Sequence, residues 1–213
     1  TNLPYKRLEQ YKGYVIKEYF ANYFLHNCDV SIDIKNNSIE VHNNSTEPWK
    51  VTLVETGLNT MTGGRVKRIE SYTNGNPFML TYGDGVAAIN ISDLVQFHKK
   101  KNKIVTITAV QPVSRFGIME INKKDTVLSF KEKPNDKDVW INGGFFVLKA
   151  DVFKYLKDKS DDIMWEKEPL EDLAKDGQLA VYKHKNFWKC MDTLRDKIEL
   201  EELWKKDAKW KVW

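Results

Sequence analysis

Only two cysteines, Cys28 and Cys190, occur in the 213 residues, far apart and outside any Cys-x-x-Cys or Cys/His ligand spacing. A disulfide scaffold and a zinc site have little support, and such sparse cysteine fits a reducing cytoplasm. No apolar run approaches the roughly 18 residues of a membrane span, and no charged-then-apolar leader opens the chain. The expectation is a cytoplasmic protein without membrane contact. The four histidines are scattered, there is no Gly-x-Ser-x-Gly elbow, and there is no P-loop. Nucleophilic catalysis therefore has little to rest on. The net charge of +4 is small beside 34 basic and 30 acidic residues, which argues against nucleic acid as a partner and leaves small anionic substrates open.

What is present is a globular composition, 41% hydrophobic and 12% aromatic with seven tryptophans, in a chain long enough for one α/β domain over residues 1–213. Apolar residues from Tyr5 to about Leu25 recur at helical spacing and predict a helix with one buried face. Val30 to Ile34 and Ser38 to His42 alternate around Lys35-Asn36-Asn37, which predicts a hairpin. Trp49 to Val54 reads as a further strand, and Thr62-Gly63-Gly64-Arg65 opens a helix.

The run Phe78 to Tyr82 reads as a buried strand, a helix follows from about Ile91 to Lys100 behind Asn90 or Ser92, and Ile104 to Val110 reads as a second strand. That is a βαβ unit, whose ligands bind beyond the carboxyl ends of its strands. The basic stretch His98 to Lys103 falls where that helix ends, a favourable place for positive charge. Beyond Pro112, strands are expected at Phe116 to Ile121, Val127 to Lys131, Trp140 to Leu148 and around Leu179 to Tyr182. Helices are expected at Ala150 to Lys157, Pro169 to Lys175 and Thr193 to Lys205.

The strand from Phe78 ends in "TYGDGV", an acid, Asp84, held between Gly83 and Gly85. Glycines there let the chain bend sharply and let a bulky ligand approach the main chain. Other acids and lysines stand beside glycine or proline: Lys133 in "FKEKP", Asn142-Gly143-Gly144, Glu168 in "WEKEP", and Asp192 in "WKCMDT". Such a set suits phosphates and a hard cation. Magnesium needs only one or two carboxylates, its other oxygens coming from water and phosphate, so Asp84 and Asp192 form a candidate pair. Lys133 offers a compact charge to a phosphate, and Gly143 and Gly144 offer bare backbone to a ligand. Each item has a plainer reading. Gly-Asp-Gly is a common turn, Glu132-Lys133-Pro134 a solvated strand exit, Asn142-Gly143-Gly144 a bulge, and Asp192 a helix cap.

In order along the chain, "YKGYVIKEYF", "EPWKVTLVETG", "MTGGRVKRI", "TYGDGV", "RFGIMEI", "FKEKP", "INGGFFVL", "WEKEPLEDLA" and "FWKCMDTLRDK" span Tyr11 to Lys197. The series resembles the sugar-1-phosphate nucleotidylyltransferases, and within them the glucose-1-phosphate cytidylyltransferases. The resemblance implies an α/β nucleotide-diphospho-sugar transferase fold, Rossmann-like, with a mixed, mainly parallel sheet between helices. It implies magnesium-dependent transfer of a cytidylyl group from CTP to α-D-glucose 1-phosphate, giving CDP-glucose and pyrophosphate, in a homo-oligomer that supplies polysaccharide biosynthesis. Carried over residue by residue, Asp84 and Asp192 become metal ligands and Lys133 the sugar-phosphate contact. Asn142, Gly143 and Glu168 become readers of the sugar hydroxyls. Gly64, Arg65 and Gly83 border the nucleotide.

The family's usual opening, a strand and a Gly-Gly-x-Gly-Thr-Arg-Leu loop followed by lysine, is not found in these residues, which start at "TNLPYKRLEQ". A domain without its first strand and phosphate loop is therefore expected, with activity of this chain alone left open. Two other readings stand beside it: a metal-dependent glycosyltransferase of related fold, and a non-catalytic binder of nucleotide sugars.

Overall fold

A computed structural model describes residues 13–43, 47, 49–112, 118–131, 139–156 and 160–211. Lys133, the beginning of the helix expected from Tyr5 and the beginning of the strand expected from Phe116 lie outside them. The chain divides into two compact units, Thr1–Met61 and Thr62–Trp213.

In the first unit, residues 13–21 are helical (α1) and a turn at Asn22 leads into α2 (Tyr23–Asn27). Phe20, Tyr23, Phe24 and Leu25 are half-buried and none of the helical residues is fully buried, so the expected buried face is only partly formed. β1 (Asp29–Asp33) and β2 (Ser38–His42) pair antiparallel, with Val30 opposite Val41 and Ile32 opposite Ile39. The turn closes as expected. Asn37 takes a left-handed φ of 50°, and the Asp33 carboxylate accepts from the Asn36 main-chain and side-chain nitrogens at 3.0 and 2.6 Å. The strand expected at Trp49 to Val54 is not formed; residues 49–57 lack regular structure, and Trp49, Val51 and Leu53 stand exposed. Alternation alone does not make a strand, because the main chain needs a ladder partner and none of the described residues supplies one.

The second unit is built on a four-stranded sheet in the order β3 (Phe78–Thr81), β8 (Ile141–Leu148), β5 (Val105–Val110), β9 (Leu179–His184). β8 runs antiparallel to both β3 and β5, while β5 and β9 are parallel. Three of the four strands thus run one way. The mixed character expected from sequence is present, but the pairing is not mainly parallel: β8 is inserted between the two strands of the βαβ unit, which leaves β5–β9 as the parallel pair of this sheet and makes its other two pairings antiparallel. β5 is buried along almost its whole length, in keeping with its continuous apolar and Thr content.

Successive residues of β8 serve opposite faces. Phe146 and Leu148 join Val66, Val152, Phe153, Leu156, Trp165, Leu170 and Leu173 on one face, under α3 (Thr62–Arg68), the 3₁₀ turn Ala150–Tyr155 and α6 (Glu168–Lys175). Val147 packs with Ile89 and Leu94 on the other, under α5 (Ile91–Lys101). α5 is capped by Asn90, whose side chain accepts from Asp93 N at 3.2 Å, and it ends at Asn102 in the left-handed region with Lys99, Lys100 and Lys101 in its last turn. Between β5 and β8 the chain forms an antiparallel ribbon, β6 (Ile118–Ile121) with β7 (Val127–Lys131). α4 (Glu70–Thr73) follows α3, and α7 (Leu194–Lys206) closes the described chain.

Candidate active site

The direction of the strands decides where the chemistry-bearing residues gather. β3, β5 and β9 end, and β8 begins, at one edge of the sheet, which is where ligands bind in sheets of this kind. Asp84 follows β3 at that edge, and Asn142-Gly143-Gly144 opens β8 beside it: Tyr82 N donates to Gly144 O at 3.1 Å.

A second, short ladder was not foreseen from sequence. β4 (Gly85–Ala87) pairs antiparallel with β10 (Trp188–Cys190), in the register Cys190 opposite Gly85. Met191 N then donates to Asp84 O at 2.8 Å, which continues the ladder by one step. Asp84 and Asp192, more than a hundred positions apart in the chain, are thereby set within one residue of direct opposition. Three-residue strands such as Trp188-Lys189-Cys190 carry too little periodicity to be read from sequence. The ladder is held to the main sheet by the Trp188 indole, whose Nε1 donates to Gly143 O at 2.8 Å. Both acids are exposed. Asp192 does not cap α7. Thr193 does so, its hydroxyl accepting from Asp196 N while Asp196 Oδ2 accepts from Thr193 N at 3.0 Å. The Asp192 carboxylate instead accepts from the Cys190 thiol at 3.1 Å.

The glycines divide. Gly83 and Gly85 have nothing among the described residues within 4 Å of where a Cβ would stand, so the Cβ side of both glycines that flank Asp84 is open. At Gly143 a Cβ would lie 2.9 Å from Val110 Cγ1 and 3.1 Å from Thr108 O. At Gly144, where φ is +78°, it would lie 2.7 Å from Tyr82 Cδ2. On the Cβ side, the space beside these two glycines is filled by Val110, the Thr108 carbonyl and the Tyr82 ring.

Asn142 does not stand alone either. Its Oδ1 accepts from Gly144 N at 2.8 Å, and its Nδ2 donates to Tyr82 Oη at 2.9 Å. Tyr82 Oη in turn donates to Glu166 Oε1 at 2.6 Å, and the other oxygen of Glu166 accepts from Thr62 Oγ1 at 2.7 Å. Thr62 Oγ1 also accepts from Trp165 N at 2.9 Å. Burial first, and then the Glu166 carboxylate, push the Tyr82 phenol far above its ordinary range, with Asp84 adding to the push. Tyr82 is therefore held as a neutral donor. Trp165, fully buried against Phe146, fixes the neighbouring Glu166 in place.

Glu168, singled out from sequence, lies exposed at the start of α6. The acid that meets Asn142's partner is Glu166, two residues earlier; the only signal for it was its place directly after a tryptophan. Gly64 and Arg65 lie in α3, where Gly64 is buried and Gly63 N donates to Ile163 O at 3.0 Å. Among the described residues no cluster of three or more Asp, Glu, His or Cys side chains could hold a metal. Two carboxylates on adjoining main-chain segments fit magnesium, which takes its remaining oxygens from water and phosphate.

A mixed sheet between helix layers, with acids at the carboxyl edge of its strands, defines a domain of the nucleotide-diphospho-sugar transferase fold. The solved structure of a UDP-glucose pyrophosphorylase complexed with UDP-glucose overlays 72% of this chain and 65% of its own, with a TM-score of 0.53 and 17% sequence identity. The nucleotidyl transferase family model matches residues 30–207, and the chain belongs to that family. It is 51% identical over 205 residues to the glucose-1-phosphate cytidylyltransferase of Salmonella typhimurium, covering 95% of this chain and 79% of that protein. The same identity and coverage hold for the glucose-1-phosphate cytidylyltransferase of Salmonella typhi.

Proposed function

We propose that this protein is a glucose-1-phosphate cytidylyltransferase, joining CTP and α-D-glucose 1-phosphate into CDP-glucose and pyrophosphate with magnesium. The observation that carries the reading is the 51% identity over 205 residues to enzymes of that name. The continued β4–β10 ladder, which puts Asp84 and Asp192 on adjoining chain segments, supports the chemistry.

In this reaction a phosphate oxygen of the sugar phosphate forms a bond to the α-phosphorus of CTP. The bond from that phosphorus to the bridging oxygen breaks, and pyrophosphate leaves with the electron pair. The attacking oxygen is anionic at neutral pH, so no general base is required, and catalysis reduces to alignment and neutralisation of crowded negative charge. Magnesium, when bound, supplies that neutralisation and orients the phosphates. Asp84 and Asp192 hold it. The open space beside Gly83 and Gly85 admits the nucleotide. Lys133, outside the described residues, contacts the sugar phosphate. Gly64 and Arg65 border the base. Glu168, Asn142 and Gly143 read the sugar hydroxyls, and Tyr82, hydrogen-bonded to Glu166, holds Asn142 in place. Homo-oligomeric assembly and a cytoplasmic location belong to the same reading; among the described residues no helix is long and apolar enough to cross a membrane.

The test is pyrophosphate release from CTP and glucose 1-phosphate with magnesium, by the unaltered chain and by Asp84→Asn. Release by the unaltered chain, lowered about 100-fold or more in the variant, is the expected result, since the near-isosteric amide removes the charge and little else. Release of free nucleoside diphosphate instead of pyrophosphate would point to glycosyl transfer and overturn the proposal.

A further inference from the structure

Tyr82 stands directly before Gly83-Asp84-Gly85, and it is tied in three ways. Its main-chain nitrogen donates to Gly144 O, its ring lies over the bare Cα of Gly144, and its hydroxyl joins Glu166 to Asn142. The turn that follows has glycines on either side of Asp84, and among the described residues nothing stands within 4 Å of where a Cβ of either would lie, so no side-chain packing on those glycines holds it. Asp84 O is held from beyond by Met191 N. On the carboxyl side Gly85 is fixed in β4 opposite Cys190, and on the amino-terminal side the nearest residue tied by side-chain contacts is Tyr82, across Gly83.

We infer that Tyr82 is a positioning residue for the metal pair: its hydroxyl, clamped between Glu166 and Asn142, fixes the start of the Asp84 turn against β8, and Glu166 is the anchor of that clamp. The inference rests on the reading of Asp84 as a metal ligand. Its physical basis is that a carboxylate presents itself to a cation only as well as the chain beneath it is held, and here that chain is fixed by side chains. Glu166 is suited to the task because each of its oxygens receives one hydroxyl, from Thr62 at the head of α3 and from Tyr82 at the end of β3. A carboxylate acceptor makes both bonds stronger than neutral pairs.

The test measures binding of Mn²⁺ alone to the 213-residue chain, by the loss of its aqueous electron paramagnetic resonance signal. The magnesium dependence of pyrophosphate release, the KM for glucose 1-phosphate and the thermal midpoint accompany it. Tyr82→Phe keeps the ring that fills the space at Gly144 and deletes only the hydroxyl. It is expected to weaken Mn²⁺ binding about fivefold, the loss of one hydrogen bond's net worth. The magnesium needed for half-maximal release should rise in parallel, while the KM for glucose 1-phosphate stays within about twofold. Glu166→Gln should reproduce the metal effect, and the double variant should be no worse than the poorer single one, because both act through one clamp. A purely structural role would lower the thermal midpoint and leave metal binding in the folded protein unchanged. That outcome overturns the inference. If Asp84→Asn loses Mn²⁺ binding while folded Tyr82→Phe retains it, the positioning role falls and the metal reading stands. If Asp84→Asn also binds Mn²⁺ as the unaltered chain does, the metal reading falls and takes the inference with it. Should Tyr82→Phe prove unfolded by circular dichroism, Glu166→Gln decides by the same criteria.

Discussion

Among the described residues, Gly83 and Gly85 flank Asp84 with no neighbouring atom within 4 Å of a would-be Cβ, whereas Gly143 and Gly144, at the same edge of the sheet, would each drive a Cβ to within 3 Å of a neighbouring side chain. Both pairs look alike as sequence, a polar residue beside glycines where a strand begins or ends. The first pair leaves room that none of the described residues fills. At the second, the room is consumed by Val110 and Tyr82, and the close approach of β8 to β5 and β3 depends on it. A glycine next to a site therefore says that something comes close to the main chain, and not whether that something is a ligand.

The sharpest way to break the comparison is Gly144→Ala. Its φ of +78° is costly for any residue with a Cβ, and the added methyl would stand 2.7 Å from the Tyr82 ring. Backbone strain and overpacking together predict a loss of about 3 kcal/mol, read as a shift in the urea midpoint at constant slope. Because Tyr82 is the residue displaced, metal binding should weaken as well. A stability change below about 1 kcal/mol would mean that the ring is freer to move than its contacts indicate.

Gly143→Ala should follow with a smaller cost of about 2 kcal/mol, since its φ is not in the left-handed region and only Val110 Cγ1 and Thr108 O must give way. The same substitution would shift Gly143 O away from the Trp188 indole and loosen the tie between β10 and the sheet. Fluorescence of a protein with seven tryptophans is a poor probe of one, so the measurement is again urea unfolding, with Trp188→Phe as the reference for the indole bond alone. Equal stability of Gly143→Ala and the unaltered chain would remove the packing role assigned to this glycine.

These contrasts also mark what the amino-acid sequence can and cannot convey. The elements around the site were legible because they carry strong local signals: the apolar run from Phe78, the Asn90 cap, the β-branched run of β5 and the helix after Thr193. The neighbourhood of Asp84 and the Asn142 stretch followed from the rule that strand ends gather ligands, together with the resemblance to a known family. The insertion of β8 between β3 and β5 was not legible, because strand order is a long-range choice that periodicity does not encode. The same holds for the bond from Tyr82 to Glu166. Glu166 lies in the turn before α6 and Glu168 in its first turn, and no local feature marks the former as the partner of a tyrosine 84 positions earlier. The strand expected at Trp49 to Val54 failed in the opposite sense, as a good local pattern with no partner among the described residues.

The smallest stability effect is expected at the open pair, and it sharpens the comparison most. Neither Gly83 nor Gly85 has a positive φ, and among the described residues neither has a neighbour that a methyl group would strike. Gly83→Ala and Gly85→Ala should therefore leave stability within about 0.5 kcal/mol of the unaltered chain, or raise it slightly by restricting the unfolded state. If the room around Asp84 serves the nucleotide, the same methyl groups must meet CTP. Overpacking worth about 1 kcal/mol would appear as a roughly fivefold higher KM for CTP, with the KM for glucose 1-phosphate little changed. The two measurements together separate the alternatives. A stable variant that binds CTP poorly places the nucleotide against this turn. A stable variant with an unaltered KM for CTP means that the space faces water, and that Asp84 reaches its ligand from the other side of the turn.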